Sequence, residues 1–338
     1  MRLSGKLMVM MGLVALLAFP ASAEGEEPIA TIQSGTVVAC AAFSPDGEHL
    51  ALGCMNGAVQ VYSTESWLIV WEEVISDRGQ VSAIAFSPDG EKVGASIAMD
   101  PTVLLLNVRT GREIRRIELG GEFRAVDSIA FSPNGELLAC ANVRTLADDI
   151  RVMLVDPDTG RELGTPIQLN LCCWALPFEV AFSLDGRFLI GGGFGRVVVW
   201  DLEAEEEIQH LSGTWFRPGY FDGIALSSDG KLLAASGYGS RKIMLWDTET
   251  WQSSSLSAAG ADTAGVSIAF CPTGRLLAAG YERFMIWDVE SRSLLWSESA
   301  SRRGTTWIGF SSDGRLFAGI AFSKGVVTVW NVSDLIGE

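Results

Sequence analysis

Seven times along the chain a short apolar run ends in a four-residue turn of the Ser-Pro-Asp-Gly type. The turns are Ser44 to Gly47, Ser87 to Gly90, Ser132 to Gly135, Ser183 to Gly186, Ser227 to Gly230, Cys271 to Gly274 and Ser311 to Gly314. Their glycines stand 43, 45, 51, 44, 44 and 40 residues apart. A near-fixed period of this length marks one supersecondary unit copied in series, each copy needing its neighbours to cover its apolar face. Seven such units account for nearly all of the 338 residues as one array.

The second unit shows what the copied element is. Val81 to Phe86 is apolar enough for a strand covered on both faces. In Ser87-Pro88-Asp89-Gly90 the proline presets φ, the aspartate caps backbone amides and the glycine takes the left-handed position. Lys92 to Ala98 returns, Val103 to Val108 forms a third strand, and the more polar Glu113 to Leu119 suits an outer edge. The unit is thus a four-stranded antiparallel blade, and ring closure is the way such a series covers its terminal faces. Unit seven stops after its third strand, whereas Pro28 to Gln33 precedes unit one with no unit of its own. The N-terminal segment is therefore expected to supply the outer strand of the last blade. The expected fold is all-β, a seven-bladed β-propeller latched by strand exchange between the two chain ends.

The third strands carry a family resemblance. Val199-Trp200-Asp201, Leu245-Trp246-Asp247, Ile286-Trp287-Asp288 and Val329-Trp330-Asn331 end on a Trp-Asp or Trp-Asn pair. Tyr62-Ser63, Leu106-Asn107 and Val155-Asp156 take the same places in the earlier units. With the hairpin turns, this pattern resembles the WD40-repeat family over about residues 28–334. Many members of that family place a Gly-His pair before the first strand of each unit. The two histidines here, His49 and His210, lie elsewhere, so blade contact is expected to rest on apolar packing.

Residues 1–23 read separately. Arg2 and Lys6 precede an apolar stretch from Leu7 to Phe19, followed by Pro20 and Ala21-Ser22-Ala23. This is the layout of a secretory signal peptide, with cleavage expected after Ala23, export to a periplasmic or extracellular space, and a single WD40-type propeller over 24–338. The apolar stretch is short for a membrane span, although a retained anchor is the competing reading. Cleavage removes two basic and no acidic residues, taking the formal charge from −16 to −18. So acidic a surface repels phosphate backbones and anionic lipid, which disfavours nucleic-acid and membrane partners. A monomeric propeller is expected. Cys40 and Cys54 fall on neighbouring strands, but a register pairing Phe43 with Leu50 sets Cys40 opposite Gly53, one residue off. Adjacent Cys172 and Cys173, together with Cys140 and Cys271, read as small hydrophobes, and the disulfide state stays open.

Two groups of residues are candidates for a site. Loops before blades four, five and seven are aromatic and basic: Trp174 and Phe178; Trp215, Phe216, Arg217 and Tyr220; Arg302 and Trp307. Such residues make binding hot spots, or they plug gaps between blades. Asp127, Glu179 and Asp222 stand near the starts of first strands in blades three, four and five, where acids can converge on a cation or amine. Asp156 to Gly160 reads as a turn between third and fourth strands. No metalloprotease, P-loop, dinucleotide or nucleophile-elbow motif is present, so no cofactor and no catalytic set are assigned. The expected function is a non-catalytic scaffold docking a protein or peptide on its inter-blade loop face. A metal-dependent lactonase or hydrolase using the channel-mouth acids, or a glycan-binding module, is the alternative.

Overall fold

The computed structural model describes residues 27–121, 123–143, 150–169, 179–193, 196–212, 223–237, 242–257, 267–300, 304–321 and 325–336. They form seven four-stranded antiparallel sheets, and the one helix among them is the short Ser333–Ile336. Blade one consists of Val38–Phe43, His49–Cys54, Ala58–Ser63 and Ile69–Val74. Blades two to six repeat this order. Blade seven takes Thr305–Phe310, Leu316–Ala321 and Val326–Asn331 from the C-terminal end and Ala30–Gln33 from the N-terminal end. In that latch Ala30 faces Val329 and Gln33 faces Val326. The seven first strands touch one another in order around a circle, blade seven meeting blade one.

The serine of each hairpin explains why this tetrapeptide recurs. In blade one, Ser44 Oγ donates to the Asp46 carboxylate and accepts from His49 N–H at 2.9 Å. Glu48 N–H donates to Asp46 Oδ1 at 3.0 Å, and Gly47 sits at φ 75°. The same set recurs in blades two, four, five and seven, and in blade three with Asn134 for the aspartate. In blade four the Ser183 hydroxyl and Arg187 N–H hold Asp185 below the usual carboxylate range.

In blades four and six a second link joins the hairpin to its third strand. The residue after the turn glycine is Glu48, Glu91 and Glu136 in blades one to three, but Arg187, Lys231, Arg275 and Arg315 in blades four to seven. Arg187 Nη2 meets Asp201 Oδ2 at 2.6 Å, and Arg275 Nε meets Asp288 Oδ2 at 2.7 Å. The Asp of the Trp-Asp pair thus gains a cation from its own blade. In blades one and two, where that Asp is Ser63 or Asn107, the turn carries a glutamate instead. Hydrogen bonds from Ser291 N–H, Arg275 and the Ser291 hydroxyl pull Asp288 down to about 2.

The core is not central. It consists of seven apolar clusters, each shared between two adjacent blades. Trp246, Trp287 and Trp330 are buried, whereas Trp200 is half-buried. Between blades six and seven, Trp296, Trp330, Phe284 and Phe317 meet edge-on, with Trp296 and Trp330 centroids 5.4 Å apart.

Glycines leave room for branched side chains of the next blade. A Cβ on Gly192 would stand 2.4 Å from Ile224 Cγ2, and one on Gly280 would stand 2.8 Å from Ile308 Cγ2. Gly53 plays the same part, a Cβ there standing 2.6 Å from Val81 Cγ1. This is close-packed apolar contact. His49 lies in a second strand and His210 in an outer strand. The four described cysteines, Cys40, Cys54, Cys140 and Cys271, are free thiols. Cys40 faces Gly53 and Cys54 faces Val38 across a bulge. Burial raises the Cys40 thiol far above its ordinary value, so it stays a neutral hydrophobe.

Candidate docking face and channel mouth

Loops from a fourth strand to the next blade's first strand lie on the same side of the ring as the turns from second to third strands. Hairpin turns between first and second strands lie on the other side. This division follows from antiparallel order within each blade and fixes what any loop residue can reach.

Glu179 opens the first strand of blade four, Glu179–Phe182, at the channel mouth. Its Oε2 accepts from Ile224 N–H in blade five at 3.1 Å. Counting back from the hairpin residue, Ser128 and Ser267 hold the same place in blades three and six. They accept from Val180 N–H at 3.2 Å and Ile308 N–H at 3.1 Å. Glu179 is therefore one of a set of side chains that tie each inner strand to the next. The residue as a whole keeps accessible surface, while its carboxyl is drawn against blade five. Desolvation pushes it up to about 7, against the Ile224 N–H, which works in the opposite direction.

A folded pKa above the ordinary 4.5 means that the native state holds the extra proton. The associated stability is present at low pH and is lost as pH rises from about 4.5 to about 7. Glu179→Gln keeps an acceptor for Ile224 without the charge. Thermal melts should therefore show the variant matching the parent at pH 4 and exceeding it at pH 8. An equal difference at both pH values would exclude a desolvated Glu179.

Asp127 lies just before the first strand of blade three, its N–H donating to the Ala141 carbonyl at 2.8 Å. It and Glu179 stand at the starts of neighbouring inner strands, whereas Asp222 lies outside the described residues. The three-residue ligand-type group found among the described residues is a different one, Asp46, Glu48 and His49, on the opposite, hairpin side. Its aspartate is already engaged by Ser44 and Glu48 N–H. Asp156 caps its own turn, accepting from Asp158 N–H at 2.9 Å and Thr159 Oγ1 at 2.7 Å.

Trp307 is placed differently from expectation. It lies within strand Thr305–Phe310 rather than in the loop before it, half-buried, with its ring 6.0 Å from Phe43 across the blade seven–blade one junction. The ring covers the backbone at Gly309, where a Cβ would come within 2.3 Å of it. Trp307 thus fills the seam at which the ring closes. The other aromatic and basic candidates, Trp174, Phe178, Trp215, Phe216, Arg217, Tyr220 and Arg302, lie outside the described residues.

The same face carries two side chains that the sequence reading passed over. Met55 and Met99 stand in the second-to-third-strand turns of blades one and two, 45% and 91% exposed. Met99 also holds φ 62°, a left-handed conformation that costs a non-glycine residue about 1 kcal/mol. Flexible, polarizable methionines on an exposed rim suit surfaces that adapt to more than one partner. The signal was available: Asn56-Gly57 and Asp100-Pro101 mark both turns, with a methionine directly ahead of each polar residue.

These features define a class, a closed seven-bladed β-propeller with a loop rim on each side of the ring. Residues 26–63 match the WD40 family, described as WD domain, G-beta repeat. The chain is similar to a periodic tryptophan protein 2 homolog of Dictyostelium discoideum, 24% identical over 289 residues, covering 77% of this chain and 29% of that protein. It is similar to a guanine nucleotide-binding protein subunit beta of Oryza sativa subsp. indica, 25% identical, covering 62% of this chain and 69% of that protein. It is also similar to the small ribosomal subunit protein RACK1y of Oryza sativa subsp. japonica, 28% identical over 48% of this chain and 47% of that protein. The chain thus spans under a third of the slime-mould relative's length and about two thirds of the guanine nucleotide-binding subunit's.

Proposed function

We propose that the chain is an exported WD40-type propeller and a non-catalytic scaffold, docking a protein or peptide on the face formed by its inter-blade loops. The observation that carries this reading is the fold: a ring closed by its own ends presents a rigid rim, and binding residues concentrate on loops held by such scaffolds. The names of the relatives point the same way. One is a subunit of a guanine nucleotide-binding protein and another a protein of the small ribosomal subunit. Trp174, Phe178, Trp215, Phe216, Arg217, Tyr220 and Arg302 are assigned as the aromatic and cationic part of the rim, with Met55 and Met99 as its adaptable part. Export rests on residues 1–23, which carry Arg2 and Lys6 ahead of an apolar stretch and end on Ala-Ser-Ala.

One preparation tests both halves. The protein recovered from outside the cytoplasm of its native host should begin at Glu24, and the same material serves as bait. Partners held by the parent should be lost when Trp215, Phe216, Arg217 and Met99 become alanine in a variant with an unchanged melting temperature. Retention of every partner would overturn the docking face. An intact residue 1 would overturn the cleavage.

A further inference from the structure

The outer strand of blade one, Ile69–Val74, differs from an ordinary propeller edge. Of the ten large hydrophobic side chains exposed among the described residues, four lie in this strand or directly before it: Leu68 at 69%, Ile69, Val70 and Val74 at 57%. Other outer strands are shorter of exposed apolar surface; Glu113–Glu118 of blade two contributes Ile114, and Ser253–Ser257 of blade five none. The strand ends its four-stranded sheet, with no fifth strand beyond it among the described residues. Ile75 N–H bonds the Gly57 carbonyl at 2.9 Å, and Ala58 faces Val74. Antiparallel alternation then turns the N–H and C=O of Glu72 and Val74 outward, toward the open edge.

This edge is also held in place. Trp71 Nε1 donates to the Val108 carbonyl of blade two at 2.5 Å, and the indole covers Gly111. Beside it runs a cleft of about 340 Å³, floored by Leu104 and Leu106 and rimmed by Glu73, Arg112, Glu113 and Arg116. We propose that this strand is a second docking surface, at which an extended segment of a partner protein, alternating apolar and basic residues, adds as a fifth strand to blade one. The surface lies on the outer wall of the ring and stands independently of the loop face.

Charge selects the occupant. Glu72 and Glu73 occupy the middle of the edge, both exposed, in a chain of formal charge −16. Antiparallel pairing of two copies must set outward residue against outward residue, which places Glu72 opposite Glu72 and Val74 opposite Val70. Like charges directly opposite each other destabilise a sheet. A strand with lysine or arginine on one face meets Glu73 favourably, while Val70 and Val74 on the other face accept its apolar side chains. Recognition by strand addition draws affinity from the main chain and selectivity from alternate side chains.

The probe is a synthetic peptide of alternating lysine and valine, about ten residues long, compared with a lysine–glycine repeat of equal charge. The full chain should bind the first at least about tenfold more tightly than the second, with hydrogen exchange slowed at residues 70–75. The double variant Glu72→Lys, Glu73→Lys should weaken binding at least about tenfold while keeping the melting temperature. Val74→Pro removes one outward N–H without touching the ladder to the third strand, and should weaken it as well. Equal affinity for both peptides overturns the proposal, as does protection confined to the loop rim, or unchanged affinity in the charge-reversal variant. A concentration-dependent dimer of the parent, abolished by Val74→Pro, would also overturn it, by assigning the edge to a second copy.

Discussion

Alanine at Gly325 should unlatch the ring. Gly325 enters the third strand of blade seven at φ 59°, and its carbonyl accepts from Ser34 N–H at 3.0 Å and Ser34 Oγ at 2.9 Å. A Cβ there would stand 1.8 Å from the Thr36 carbonyl oxygen, which belongs to the backbone and cannot rotate away. The substitution therefore combines left-handed strain of about 1 kcal/mol with a displacement of the segment carrying the N-terminal strand. We expect a loss of about 3 kcal/mol, near the upper end for one residue. Urea denaturation measures it, and hydrogen exchange should show the amides of residues 29–34 losing protection first. Gly121→Ala is the control, because φ is 67° there and nothing lies within 4 Å. It should cost only the backbone strain, about 1 kcal/mol. Ile32, 4% exposed against Val327 and Val329, belongs to the same latch. Ile32→Ala should cost about 2–4 kcal/mol alone and less on top of Gly325→Ala, since the strand is already released. Equal costs for Gly325→Ala and Gly121→Ala would show that the latch does not carry closure.

The seven blades, the order of strands within them and the closing segment were all legible, because a tetrapeptide turn with defined chemistry recurs at a near-fixed period. The turn dictates an antiparallel return, and a unit lacking its last strand has a matching orphan at the other end. Trp307 was not legible from loop composition. Counting back from Ser311, however, it occupies the place that Ser128, Glu179 and Ser267 hold in their own blades, inside the first strand. A position that makes inter-blade bonds in three blades carries, at the closing seam, a ring that packs on Phe43 instead. The pairing of turn cation with third-strand aspartate was present in the sequence but shows only when the two columns are read together. Arg275 and Asp288 are 13 residues apart in the chain and 2.7 Å apart in the blade. The exposed outer strand of blade one escaped notice for a different reason. An apolar run does not say what covers it, and the sheet order shows no further strand beside it among the described residues.

The contact between blades gives the second large effect. Gly53, Gly192 and Gly280 each stand nine residues after the hairpin Ser44, Ser183 or Cys271, a regularity that repeat alignment exposes but local propensity does not. Glycine in a strand interior weakens the strand, so its recurrence there needs a packing reason. At Gly192 the reason is Ile224, which is 4% exposed and pinned at its N–H by Glu179. The isoleucine can neither swing out nor retreat, and a Cβ at Gly192 would meet its Cγ2 at 2.4 Å. Gly192→Val should therefore cost about 3 kcal/mol, with blades four and five forced apart. Ile224→Ala alone should cost about 2–4 kcal/mol by leaving a void. Together the two should cost at least about 1 kcal/mol less than their sum, because the valine enters the space the isoleucine leaves. Urea midpoints for the four proteins of this cycle measure the coupling. Strict additivity would mean that the inner strands are held by backbone bonds such as Glu179 to Ile224, with the fit of side chain into glycine contributing nothing.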